Sequence, residues 1–145
     1  MKASDKPIVV EQRFDTTPEV VWLAITDVGR MRQWFFDNIP AFEPEAGFET
    51  RFRVESEGRS FMHVWKVTDV RPLKRIVWDW SYAEYDGDAF VSFELTDHGD
   101  ATVLKVTSTT RRDFPDDIPE FTSESCLAGW RYFIQQRLKA YLDEN

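Results

Sequence analysis

The sequence FETRFRVE at residues 48–55 alternates between side chains that prefer the protein interior and charged side chains that prefer water. Successive side chains of a β-strand point to opposite faces of a sheet, whereas a helix repeats every 3.6 residues. The alternation therefore predicts a strand with one buried and one exposed face. The side chains predicted to face inward are Phe48, Thr50, Phe52 and Val54.

The same period of two continues downstream in four further segments, beginning with residues 60–70. The side chains predicted to share the inner face are His63, Trp65 and Val67, then Ile76, Trp78 and Trp80, then Val91, Phe93 and Leu95. The predicted turns fall at residues 57–58, 71–74, 86–88 and 97–100. Five consecutive strands joined by short turns form an antiparallel meander. Residues 8–14, IVVEQRF, predict another strand, which gives a sheet of about six strands.

Two short helices are predicted between the first strand and the meander. Residues 16–19, Thr-Thr-Pro-Glu, combine a capping hydroxyl, a proline and an acidic residue, which is typical of a helix start, and Gly29 ends this helix. A second helix is predicted over residues 31–36, with Trp34 nearer the surface. Residues 37–47 contain two prolines and a glycine and are predicted to form a loop.

The chain ends in a segment with a helical period. Residues 122–145 carry an apolar stripe at intervals of three or four, formed by Leu127, Trp130, Ile134, Leu138 and Tyr141. We expect one long helix with Trp130 as its principal anchor on the sheet. Gly129 destabilises a helix by about 1 kcal/mol relative to alanine. It indicates either a close approach to the sheet or open space at the mouth of a cavity.

The composition is that of a soluble globular protein, and 145 residues predict a single domain. The net charge of −8 disfavours nucleic acid and anionic membranes as partners. Cys126 is the single cysteine, so an internal disulfide and a thiolate metal cluster are excluded. We see no signal peptide or membrane-spanning stretch and expect a cytoplasmic protein.

Aromatic residues make up 15% of the chain, and many fall on the predicted inner face of the sheet. A dense aromatic core explains this composition. A curved sheet that the helix does not fill explains it equally and would leave a pocket of ~300 Å³ or more. We favour the pocket and predict that its ligand-binding residues are Phe52, His63, Trp65, Trp78, Trp80, Phe93, Trp130 and Phe133.

The sequence offers few groups for catalysis or metal binding. His63 and His98 are the only histidines, and no pattern of metal ligands or glycine-rich phosphate loop is present. We therefore predict no metal, no cofactor and no catalytic residue. His63 is interpreted either as a polar anchor inside the cavity or as a rim residue hydrogen-bonded to its neighbours. Asp79 is predicted to face away from the cavity.

Three motifs resemble a known superfamily. They are residues 17–22 (TPEVVW) with 31–35 (MRQWF), residues 67–72 (VTDVRP) with 76–80 (IVWDW), and Gly129-Trp130 with the helix that follows. In this order they resemble the helix-grip fold of the START and birch-pollen-allergen (SRPBCC) superfamily. They are most similar to bacterial homologues of the activator of the heat-shock chaperone ATPase. The resemblance implies one α+β domain over residues 1–145, with the long helix on the concave face of the sheet.

The resemblance implies three alternative functions. We favour non-catalytic binding of a small hydrophobic or lipid-like molecule between the sheet and the C-terminal helix. A cyclase or aromatase activity would draw on His63, Tyr82 or Arg131. A chaperone cofactor or stress-response protein would act through its surface, with a chaperone ATPase as partner. A monomer and a homodimer are both compatible with the sequence.

Overall fold

The computed structural model describes residues 1–144 and has an α+β architecture. Its elements are β1 (Ile8–Phe14), α1 (Pro18–Thr26), α2 (Val28–Trp34), β2 (Glu49–Ser56), β3 (Arg59–Arg71), β4 (Arg75–Tyr82), β5 (Tyr85–Asp97), β6 (Thr102–Arg112) and a C-terminal helix, α3. A single 3₁₀ turn, Pro119–Phe121, precedes α3. The predicted helix-grip fold, with two short helices and one long one, is confirmed.

The six strands form one antiparallel sheet in the order β1-β6-β5-β4-β3-β2. The meander from β2 to β6 is the predicted one, and β1 closes the far edge by pairing with β6. Trp65 of β3 lies opposite Trp80 of β4, and His63 lies opposite Tyr82. The inner faces predicted from the period of two are therefore correct for β3 and β4.

The turn between β4 and β5 lies earlier than predicted. β4 ends at Tyr82 and β5 begins at Tyr85, so residues 86–88 belong to the strand. Gly87 has a φ of +105° within β5, and a Cβ there would lie 2.6 Å from Cδ1 of Phe114. Glycine at this position allows the ring of Phe114 to approach the backbone of β5, and it does not form a turn.

The first short helix begins at its predicted cap, but the second differs from its prediction. α1 ends at Thr26, so Gly29 does not end it but lies inside α2, which covers Val28–Trp34 rather than residues 31–36. The hydroxyl of Thr17 accepts a hydrogen bond from the backbone N–H of Val20, and the carboxylate of Asp27 accepts one from Arg30. The prediction that Trp34 lies near the surface is wrong. Trp34 is fully buried, and its Nε1 donates a 2.8 Å hydrogen bond to the carbonyl of Ala24 in α1. This bond ties α2 to α1.

The C-terminal helix α3 spans residues 123–144 without a break, as predicted. Its ends, Ser123–Trp130 and Lys139–Glu144, are α-helical, whereas Arg131–Leu138 is wound as a π-helix. The sequence pattern does not predict the π-helical middle of α3. Trp130, immediately before that segment, is 6% exposed and packs on rings of the sheet and of the segment after α2. Those contacts are with Phe35, Trp80 and Phe93.

Candidate ligand-binding cavity

A cavity of about 290 Å³ lies between the sheet and the first half of α3. This volume is at the lower end of the range found for small-molecule sites, ~300–1,000 Å³. Its floor is formed by β2 to β6, its roof by α3, and its end wall by residues 114–121. Among its polar lining residues, Ser56 and Glu120 are partly exposed and Ser125 is exposed.

The structure places the eight predicted ligand-binding residues in two groups. His63, Trp80, Trp130 and Phe133 line the cavity. The other four lie in the packed core beside it: Phe52, Trp65, Trp78 and Phe93. Each of these four is at most 5% exposed. The predicted pocket is therefore displaced along the sheet, toward the N-terminal end of α3.

The displacement has a cause in the segment that follows α2. Phe35 packs on Trp65 with ring centroids 5.3 Å apart, and Phe42 packs on Trp78 at 5.1 Å. These side chains fill the hollow over this part of the sheet. Sequence periodicity could not show this, because an irregular segment has no fixed period that assigns its side chains to a face.

His63 is a buried group of the cavity wall, 5% exposed. Its Nδ1 lies 3.1 Å from the carbonyl oxygen of Phe61. Burial lowers the pKa of His63 to about 4, against smaller opposing contributions from that carbonyl and from Glu84. The ring is thus uncharged near neutral pH. Of the two interpretations of this residue, the structure supports a position inside the cavity.

Tyr82 and Trp80 form a polar pair beside His63. The Nε1 of Trp80 donates a 2.9 Å hydrogen bond to the hydroxyl of Tyr82. Burial raises the pKa of Tyr82, so its hydroxyl stays protonated. The rings of His63 and Tyr82 meet edge to face with centroids 4.8 Å apart. The cavity therefore has a small polar region within an aromatic wall.

Gly129 lines the cavity roof, and the structure separates the two explanations for it. A Cβ at this position would meet no atom within 4 Å, apart from its chain neighbours and the backbone of its own helix. The interpretation that glycine permits a close approach of α3 to the sheet is therefore wrong. Gly129 faces open space, as the cavity-mouth interpretation requires.

Cys126 also lines the cavity, and burial raises the pKa of its thiol to about 11. A thiol with a raised pKa is a poor nucleophile, because the reactive species is the thiolate. Asp79 lies on the outer face of the sheet, where its Oδ1 is 2.8 Å from Nη2 of Arg111. The predicted orientation of Asp79 is confirmed.

A second aromatic cluster closes the end of the cavity. Phe121 packs on Phe61 and Phe114 with ring centroids 5.5 and 5.2 Å apart. Next to it, Glu120 accepts two hydrogen bonds from the guanidinium of Arg59, at 2.8 and 2.9 Å. The Arg59 bond lowers the pKa of Glu120 to about 2. This ion pair fixes the end wall to the start of β3.

Five aromatic lining residues are missing from the predicted ligand-binding set: Phe36, Phe61, Tyr82, Phe114 and Phe121. Phe61 shares the strand parity of His63, so the period of two could have identified it. Phe114 and Phe121 lie in the proline-rich connection between β6 and α3, where periodicity carries no signal. Their proximity to the cavity depends on the tertiary fold.

Among residues 1–144, no cluster of three histidine, cysteine, aspartate or glutamate side chains is placed to hold a metal ion. In the same residues, we find no helix that is both long and apolar enough to span a membrane.

Residues 15–143 match the model of a family described as activator of Hsp90 ATPase homolog 1-like protein. The chain belongs to this family. The membership agrees with the superfamily resemblance that the three motifs indicate, and it extends over both short helices, the meander and α3. We found no curated protein that matches the chain.

Several solved structures of similar proteins share the fold. DynU16, a protein of the dynemicin biosynthetic locus, is 28% identical with a TM-score of 0.74. The alignment covers 96% of this chain and 48% of DynU16, so the chain spans about half of that protein. Mll3558 from Rhizobium loti is 22% identical with a TM-score of 0.79, and the alignment covers 94% and 96% of the two chains. CV1439 from Chromobacterium violaceum is 18% identical with a TM-score of 0.79, covering 96% and 98%.

Proposed function

We propose that the protein binds a small, mainly apolar molecule in the cavity between the sheet and α3, without transforming it. The observation that carries the proposal is the open space of about 290 Å³ in an interior that is otherwise closely packed. Cavities in protein interiors are usually much smaller, because empty space forfeits van der Waals contacts.

The size of the cavity indicates the size of the ligand. An engineered apolar cavity of 150 Å³ in another protein holds benzene. A cavity of about twice that volume has room for a molecule of two fused aromatic rings. The aromatic rings of Trp80, Trp130 and Phe133 provide flat apolar surfaces against which such a molecule can pack.

Gly129 offers a direct test, because it lines the cavity and a Cβ there meets no atom within 4 Å, so a larger side chain extends into the open space. We expect Gly129→Leu to keep the fold and to weaken binding of naphthalene at least about tenfold, measured by titration calorimetry. Ala128→Leu is the matched control, since Ala128 is on the same helix and exposed. Equal affinity in both variants, or no binding to the wild type, would contradict the proposal.

A biosynthetic enzyme is the second candidate, favoured by the 28% identity to DynU16. Of the residues predicted for a cyclase-like reaction, His63 and Tyr82 lie in the cavity wall, whereas Arg131 is exposed on α3. A polyketide-like substrate that the wild type turns over and His63→Ala does not would favour this candidate over simple binding.

A chaperone ATPase as partner stays a prediction, supported by the description of the family. Val20 and Leu23 of α1 are large apolar side chains that are 41% and 46% exposed, and they offer a contact surface. Reconstitution with a purified chaperone ATPase, with Leu23→Ser as the comparison, tests it. The oligomeric state, monomer or homodimer, is likewise a prediction and is measured by light scattering.

A further inference from the structure

The His63 ring has one hydrogen-bonding atom to offer a ligand. A backbone carbonyl only accepts hydrogen bonds, so the Nδ1 that lies 3.1 Å from the carbonyl of Phe61 carries the proton of the neutral ring. Nε2 is then unprotonated and has a free electron pair. It is at the far edge of the ring from the backbone, and the ring lines the cavity.

Tyr82 supplies the complementary atom. Its oxygen already accepts the hydrogen bond from Nε1 of Trp80, and its own hydrogen remains to be donated. Among residues 1–144, we find no acceptor for that hydrogen. Tyr82 is partly exposed in the cavity wall, so its hydrogen is available to an acceptor that enters the cavity.

The charges that line the cavity favour a neutral ligand. Among the described lining residues, Glu120 is the one charged side chain, and it is an anion held in its ion pair with Arg59. The ammonium of Met1 also lines the cavity and donates a 2.6 Å hydrogen bond to the carbonyl of Phe121, so both charges of the wall already have partners. A charged ligand would lose its hydration and would have to compete with those partners. A neutral polar group incurs a much smaller desolvation cost.

We propose that the ligand is an uncharged aromatic or conjugated molecule of about two fused rings that carries one hydroxyl group, a phenol or an enol. Its hydroxyl donates a hydrogen bond to Nε2 of His63 and accepts one from the hydroxyl of Tyr82. This inference rests on the binding function proposed above and narrows the ligand to one chemical class.

Three matched probes test the inference in the wild-type protein at pH 7: naphthalene, 2-naphthol and 2-methoxynaphthalene. The methoxy compound has the oxygen but no hydrogen to donate. We expect 2-naphthol to bind roughly 3–10-fold more tightly than either other probe, the effect of one net hydrogen bond. Calorimetry measures all three affinities.

Variants locate the effect. His63→Phe keeps a flat ring and removes the acceptor, so the preference for 2-naphthol over naphthalene, measured within this variant, should disappear. Tyr82→Phe should also lower the affinity for 2-naphthol. If either variant fails to fold, the three wild-type affinities still show whether the ligand's hydroxyl contributes to binding.

The outcomes separate this inference from the proposed function. Wild-type protein that binds naphthalene as tightly as 2-naphthol overturns the hydroxyl inference and leaves apolar binding intact. An unchanged preference for 2-naphthol in His63→Phe also overturns it. If the wild-type protein binds none of the three probes, both the hydroxyl inference and the proposed binding function are wrong.

Discussion

Burial keeps the imidazole of His63 uncharged at neutral pH, and this links the stability of the protein to pH. Its ring lies among uncharged rings, those of Phe36, Phe52, Trp80 and Tyr82. Glu84 is the nearby anion that favours protonation, but its contribution is smaller than that of burial. The folded protein therefore takes up the proton at about pH 4, and the unfolded chain near pH 6.5.

Between these two values the unfolded state holds the proton and the folded state does not. The free energy of unfolding should therefore fall as the pH is lowered from about 6.5 to about 4, by about 3 kcal/mol in total, and this contribution should level off below. The ion pair of Glu120, whose pKa is lowered to about 2, is lost in a separate window below about pH 4.5. Urea unfolding at pH 7, 6, 5 and 4 measures the change.

The comparison variant is His63→Phe, which has no proton to gain. Its free energy of unfolding should depend much less on pH between 6.5 and 4 than that of the wild type. Identical pH dependence in the two proteins would show that His63 is not the responsible group.

The inward direction of His63 could be predicted from its sequence, because a strand period of two assigns each side chain to a face. Its hydrogen-bonding partners and its lowered pKa could not, because they depend on rings contributed by β2, β4 and the segment after α2. The burial of Trp34 had a weak local signal. Met31 and Trp34 are three residues apart and share one face of α2, and both are fully buried.

At the scale of elements, α3 is attached to the sheet mainly through Trp130. The indole packs edge to face on Trp80 and Phe93, with ring centroids 5.5 and 5.8 Å away. Because a cavity borders this ring, the surroundings are already incomplete on one side. The remaining contacts with the sheet therefore matter more for the position of the helix.

Trp130→Ala should lower the free energy of unfolding by about 3–5 kcal/mol, the usual cost of truncating a buried aromatic side chain. Tyr132→Ala is the matched comparison, since Tyr132 is on the same helix and 45% exposed, and it should cost less than about 1 kcal/mol. Denaturant unfolding measures both. Similar losses in the two variants would show that Trp130 does not anchor α3.

The elements themselves were largely predictable, whereas the way they fill the interior was not. The spacing of apolar residues predicts the strands and the extent of α3, because this spacing is a local property of the sequence. The π-helical turn at Arg131–Leu138 and the early β4–β5 turn depend on contacts with other elements. The aromatic residues after α2 decide which half of the sheet is packed and which half is open.

At the scale of the whole molecule, the sheet and α3 enclose two different interiors. One is a packed aromatic core over Trp65, Trp78 and Phe93, filled from above by the segment after α2. The other is the cavity, closed at its end by the cluster around Phe121. We predict that an apolar ligand enters only the cavity.

The six tryptophans report on this difference, because each indole N–H gives its own signal in a proton–nitrogen NMR spectrum. Naphthalene titrated into the wild-type protein should shift the indole signals of Trp80 and Trp130, which line the cavity. The signals of Trp34, Trp65 and Trp78, which are buried elsewhere, should move little. Saturating naphthalene that shifts no indole signal, or shifts those of the packed core and not Trp80 and Trp130, would contradict the claim that the cavity is the binding site.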